Sequence, residues 1–417
     1  MLIIIILNFI VFYLIKKYNL FNTKKSRVIL YSSVLIEIVL FVIYRINLAQ
    51  LGREVYFSDA ETYWKNTLEI LTTGHSDGYN NLYYRLCALI QKTSPFLWVG
   101  WNNLFNITCL NLSFILIATF VQKTDSSEKK LQIFTLFSLA NPFIVFGLMR
   151  NLKDSLFLLM VVVTCFIADY YCKTKNKILK VFILTALLLM AYVFTDIRPW
   201  GFIIPIIAVL YIVQHQKRKK YQFDYKSILI LIGVALLVGA AIIFAVPSIA
   251  NNIKIWAPIT LSSSADRGLL STIVGLGKFM LAPGPIRALL GNDFFEHSML
   301  SGNIMAGVGS LIWWLSLIPI TVAIVTQKEK IKLIFKKDGF LKLILISALF
   351  YLIIYTMQYG GSGELRLKSV FYIFFYAIVF QLYDIPDFSQ HKKTTILVTC
   401  LLSLVFITTS IIGLIGA

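Results

Sequence analysis

The sequence predicts an all-α polytopic membrane protein of about twelve transmembrane helices, with two long loops on one side carrying interfacial or re-entrant helices. Three observations predict it. Of the 417 residues, 58% are hydrophobic and 14% charged, against about 45–50% and 25% in soluble globular domains. Mean hydropathy is +0.78. Apolar runs of helix length recur along the whole chain, separated by short basic clusters. The same features exclude an ordinary water-soluble enzyme, a disordered chain and a disulfide-stapled secreted module. The five cysteines (Cys87, Cys109, Cys165, Cys172, Cys400) are scattered, mostly within apolar runs, and show no Cys-x-x-Cys pair. They read as small buried hydrophobes.

A helix needs about 20 mainly apolar residues to cross the hydrocarbon layer. Runs of this kind lie near 2–15, 28–48, 104–121, 131–149, 155–172, 179–195, 200–214, 228–247, 303–326, 340–357, 369–383 and 394–415. The first is short, with no basic residue before it and two lysines after it. That is the reverse of a cleavable signal peptide, so it reads as a span or a signal anchor. No internal repeat and no separate soluble domain is visible, and residues 1–417 form one integral membrane domain.

Charge gives the orientation. The loops that alternate on one side hold 25 of the 39 basic residues, 23 of them lysine, in short clusters such as Lys16–Lys17, Lys24–Lys25, Lys173–Lys180 and Lys328–Lys342. Short lysine-rich loops mark the cytoplasmic face. The formal charge of +19 therefore describes membrane orientation, and no nucleic-acid partner is expected. On the other face arginine is the majority base, joined by 11 of the 20 acids. The two long loops, about 49–103 and 248–302, fall on that side. The first is rich in Tyr and Trp, as suits helices in the headgroup layer. The second contains Leu269–Leu281, too short to span, followed by Pro283-Gly284-Pro285, which suggests a re-entrant segment.

Four outward hairpins carry ionisable groups. Asp59-Ala60-Glu61 places two carboxylates two residues apart, able to hold a cation or to act as a base with a neighbour that raises its pKa. Arg150-Asn151-Leu152-Lys153-Asp154 is a very short connection; a helical turn would put Arg150 and Lys153 on one face, with Asp154 restraining one of them. Asp196-Ile197-Arg198 repeats the pairing of acid and arginine, and Glu364-Leu365-Arg366-Leu367-Lys368 follows a glycine-rich stretch. Any one pair reads as a salt bridge at a helix end. Their coincidence on one face, with arginine chosen over lysine, points to a shared anion site, since guanidinium binds phosphate oxygens bidentately. Arg287 is a further phosphate contact. Asp293, Glu296 and His297 are weak candidates for a divalent metal, their spacing better suited to a surface loop. Glu37, near the middle of the second span, is either functional or a neutral, hydrogen-bonded acid packed on a neighbouring helix. No nucleotide-binding motif is present and no nucleotide cofactor is expected.

A long outward loop with Asp59, Tyr63, Gly74 and Tyr83-Tyr84 resembles the opening of bacterial GT-C-type membrane glycosyltransferases. Asn141-Pro142 leading into Arg150-Asn151-Leu152-Lys153-Asp154 looks like the R-x-x-K-D-type stretch of polysaccharide-biosynthesis membrane proteins. The resemblance covers mainly residues 55–160, with looser similarity at 196–200, 279–287 and 364–368, and its patterns also occur in oligosaccharide repeat-unit polymerases. It implies Asp59 as the catalytic base or the carboxylate that positions the acceptor, with Glu61 assisting it or binding metal. Arg150, Lys153, Arg198 and Arg366 would hold the phosphate of a polyprenyl-linked saccharide donor; beside that set, the residues themselves suggest Arg287 and Lys368 as further phosphate contacts and Asp154, Asp196 and Glu364 as supports. Two departures stand out: the acidic motif follows the second span instead of the first, and no soluble C-terminal domain is present. The expectation is a glycosyltransferase of the bacterial cytoplasmic membrane, its site facing outward, transferring sugar to a saccharide or glycolipid acceptor among membrane lipids. The rivals are a repeat-unit polymerase and a lipid-linked saccharide flippase.

Overall fold

The computed structural model describes residues 1–55, 58–75, 81–124, 128–217, 269–281, 284–290, 299–327, 339–359, 365–382 and 389–415, and every element among them is an α-helix. In chain order these are α1 (Leu2–Lys17), α2 (Lys24–Gln50), α3 (Ser58–Thr73), α4 (Asn81–Lys92), α5 (Gly100–Thr124), α6 (Glu128–Ser138), α7 (Pro142–Met149) and α8 (Asp154–Lys173). They continue with α9 (Lys177–Ile197), α10 (Ile203–Lys217), α11 (Leu269–Leu281), α12 (Pro285–Leu290), α13 (Leu300–Thr326), α14 (Gly339–Tyr359), α15 (Leu365–Leu382) and α16 (Lys392–Ile415).

Seven of these helices (α2, α5, α8, α9, α13, α14 and α16) are long and apolar enough to cross a bilayer. The pair α6–α7, bent by 58° at a short break, makes eight if it is one span. The chain thus has the helices of a multi-pass membrane protein. The runs expected at 2–15, 200–214 and 369–383 fall in α1, α10 and α15, of 16, 15 and 18 residues, and the run at 228–247 lies outside the described residues. The described residues therefore carry seven or eight of the twelve expected spans.

Local chemistry sets the helix starts. Thr23 caps α2 by accepting from Ser26 N, and Asn176 caps α9 by accepting from Ile178 and Leu179 N. At the α6–α7 break, Asn141 accepts from Phe143 N and Pro142 takes the first helical position, where a missing N–H costs nothing. The centre of the bundle is α7: every residue from Phe143 to Met149 is buried, as a helix apolar on all sides must be. It lies between α13 and α15, with α2 and α5 beside it. Against α15 the approach is close, because a Cβ on Gly147 would come within 2.1 Å of Ser369 Oγ.

The first long loop folds back on the bundle. α3 packs on α4, and α4 on α5 and α9. Its aromatic residues serve that packing: Tyr63, Trp64, Tyr83 and Tyr84 are all buried, where the sequence suggested headgroup contacts. The helices alternate so that Lys17, Lys24, Lys173 and Lys177 mark one end of α1, α2, α8 and α9, and the residues discussed next sit at the other.

Candidate functional site

The site is built on the turn between α7 and α8, and amides from α5 hold that turn. Asn103 donates to Met149 O at 3.0 Å, and Asn106 donates to the carbonyls of Arg150 and Leu152. Asn102, itself accepting from Gln91, donates to Asn151 Oδ1 at 3.1 Å. Asn151 in turn donates to Ala60 O at 3.2 Å, so it ties the turn to the residue following Asp59. All of these side chains are buried. A web of buried hydrogen bonds rigidifies the backbone that it holds.

Four elements then bring charge together. Asp154, the first residue of α8, is 1% exposed; its Oδ1 accepts from Arg198 at the end of α9, and its Oδ2 lies 3.9 Å from Arg366 Nε at the start of α15. Arg366 also reaches Asp59 of α3, Nη1 to Oδ2 at 2.6 Å. Exposure falls inward: the Asp59 side chain is 49% exposed, Arg366 12%, Arg198 9% and Asp154 1%. One guanidinium therefore bridges a half-exposed carboxylate and a buried one. The Lys153 ammonium joins them, 5.8 Å from the Tyr63 ring centre. Burial pushes its pKa well below the ordinary lysine range, and the nearby Arg198 pushes the same way. Arg198 lies 5.7 Å over the Tyr355 ring, within an aromatic group formed by Tyr351, Tyr355, Trp200 and Phe157.

The structure thus gathers Asp59, Lys153, Asp154, Arg198 and Arg366 from positions up to three hundred residues apart, as the sequence suggested. Other expectations are corrected. Glu61 lies in the first turn of α3, where residues two apart face different ways. It pairs instead with Arg53 at 3.7 Å, both side chains 52% exposed. Arg150 and Lys153 share no helical face, because Arg150 ends α7 in extended backbone (φ −58°, ψ 160°). Its buried guanidinium turns over the Phe146 ring, 5.2 Å away. Asp154 pairs with Arg198 and Arg366 and also lies beside Lys153. Asp196 does not pair with Arg198; its Oδ2 accepts from Leu82 N at 2.6 Å and so fastens the start of α4.

Lys368 is fully buried and donates to Lys278 O at 3.2 Å, over the Phe279 ring. Trp313 and Trp314 donate to Met280 O and Leu281 O at 2.8 and 3.1 Å. Together the three satisfy carbonyls that the end of α11 leaves without intrahelical partners, and a cation there also suits the helix dipole. Lys368 thus caps α11. Arg287 lies part-buried on α12, which packs against α13. Glu364, Asp293, Glu296 and His297 lie outside the described residues. Among the described residues no three His, Cys, Asp or Glu side chains gather as metal ligands.

Sequence reasoning missed Gln91, Asn102, Asn103, Asn106 and Asn151, which shape the site without touching its charges. Their signal was present: three amides within Asn102–Asn106 at the start of an otherwise apolar span, with Asn102 and Asn106 four apart and so on one face. Comparison with protein-family models, with curated proteins and with solved structures yields no match.

Proposed function

We propose that the chain is a membrane glycosyltransferase that takes a sugar from a polyprenyl-phosphate-linked donor at the outer face of a bacterial cytoplasmic membrane, for cell-surface polysaccharide or glycolipid assembly. The observation that carries this reading is the Asp59–Arg366–Asp154–Arg198 chain with Lys153 beside it. Two arginines balance the two carboxylates, and Lys153, charged once an anion binds, adds positive charge at the end of the bundle opposite the lysine-rich loops. That is the face where an activated donor is most simply supplied through the lipid.

The burial gradient divides the labour. Asp154 is a fixed counter-ion that holds Arg198 and Arg366 in place. The Asp59–Arg366 pair, half open to solvent, is the exchangeable one: a donor phosphate takes over Arg366 and releases Asp59. Asp59 then accepts the proton of the acceptor hydroxyl, whose oxygen attacks the anomeric carbon. The bond from that carbon to the phosphate oxygen breaks, and polyprenyl phosphate or diphosphate leaves with the electron pair. Arg366, Arg198 and Lys153 stabilise the charge that develops on it, a contribution that is often the largest single term in catalysis.

The test is transfer of a labelled sugar from a polyprenyl-linked donor in proteoliposomes. Wild type is expected to form covalent product and Asp59→Asn to lose at least two orders of magnitude in rate, the scale of general-base catalysis, with insertion unchanged. Full activity in Asp59→Asn overturns the reading. Movement of the lipid-linked sugar across the bilayer without product indicates a flippase, and a product ladder indicates a repeat-unit polymerase.

A further inference from the structure

The buried seam of α2 runs Ser26, Leu30, Ser33, Glu37, Phe41, Tyr44 and Leu48, each three or four residues from the last, which presents one stripe to α5, α6, α7 and α13. Glu37 sits at its midpoint. It is 1% exposed and lies thirteen residues, about 20 Å, from the start of α2 at Lys24. Asn111 of α5 donates from Nδ2 to Glu37 Oε2 at 2.9 Å. The remaining oxygens of the same two side chains, Glu37 Oε1 and Asn111 Oδ1, are both buried without a hydrogen-bond partner. Two adjacent groups each leave an acceptor unmet, in a region where an unsatisfied polar atom costs several kcal/mol.

We propose that Glu37 and Asn111 form a proton-binding site at the centre of the α2–α5 interface, with Glu37 held as the carboxylic acid. One proton taken up on Oε1 turns an orphaned acceptor into a donor, and the other orphan belongs to the side chain already bonded to this carboxyl group. The acid and the amide then close a two-bond ring: amide N–H to Oε2, acid O–H to Asn111 Oδ1. A bridging water would satisfy the same two atoms but leave a carboxylate at mid-membrane with no cation opposite it. Among the described side chains of α5, α6, α7 and α13 the charged ones are Glu128, Lys129 and Lys130 at the start of α6. There Glu128 accepts from Thr23 N and Ser26 Oγ, eleven residues or about 16 Å along α2 from Glu37. On α2 itself Arg45 donates to Glu54 O, two turns away. The other titratable groups on these surfaces are Tyr44 on the same stripe and Cys109, which lies with Cys87 and Tyr83. None supplies a positive charge to Glu37.

The measurement is infrared spectroscopy of the full-length protein in lipid nanodiscs at neutral pH, comparing wild type with Glu37→Gln. A glutamine keeps the two-bond ring, since its amide donates where the acid did. The expected difference spectrum shows loss of a protonated-carboxyl C=O stretch. In Asn111→Leu, which keeps Glu37 but removes its partner, the same band is expected to persist at higher frequency. Should Glu37→Gln fail to insert, that shift reads the same group. A difference spectrum containing only carboxylate bands, or an Asn111→Leu variant without a shifted acid band, overturns the proposal.

Discussion

Asp154 carries more of the site than its size suggests. It is buried, faces two guanidinium groups, and begins a helix whose dipole also favours a negative charge. Removing one partner of a buried ionic group strands the others and costs about 3–5 kcal/mol. Asp154→Leu is therefore expected to lower the thermal midpoint of the purified protein strongly. Asp59→Asn, at the half-exposed end of the same chain of charges, removes an interaction worth about 0–1 kcal/mol and should leave the midpoint nearly unchanged. A thermal melt of both variants checks this, and equal destabilisation would contradict the inward gradient. Lys153 gives a pH prediction. Burial lowers its pKa in the free protein, and a bound anion raises it again, so phosphate binding takes up a proton. Affinity for a phosphate lipid should accordingly fall as pH rises through the range where free Lys153 loses its charge. Calorimetry in buffers of different ionisation enthalpy counts that proton.

At the scale of elements, the close approach of α7 and α15 aims Arg366. Ser369 Oγ donates to Leu365 O and to Phe143 O at 2.7 and 3.2 Å, and Gly147 leaves room for it. Gly147→Val is expected to push α15 outward, lowering the thermal midpoint and the transfer rate together; adding Ser369→Gly should recover part of both. No recovery would mean that the contact is not what places Arg366. The helices themselves were legible in the sequence because a continuous apolar run needs no partner to declare itself, and the charged residues of the site because ionisable groups at span ends are few. Pairing was not legible. Asp154 could be assigned to Arg150 or Lys153 by proximity, yet it meets Arg198 and Arg366 because α9 and α15 end beside α8. Lys368, two residues from Arg366, faces the other way and caps α11 with Trp313 and Trp314. Glu61 meets Arg53 because the Asp59 motif opens a helix that turns the second acid away from the first.

For the whole molecule, one polarity organises everything: lysines at one end of the helices, the mixed arginine and carboxylate cluster at the other. Cysteines introduced near Lys175 and at Lys65 should be labelled from opposite sides of sealed vesicles, and labelling from the same side would contradict the topology. The central claim is that residues remote in sequence converge to bind the phosphate of a lipid. Binding of a polyprenyl phosphate to the protein in nanodiscs tests this most directly. Binding is expected to weaken at least tenfold in Arg366→Gln, on the scale of a hydrogen bond to a charged group, and to be unchanged in Glu61→Gln. Equal affinity of wild type and Arg366→Gln would contradict it.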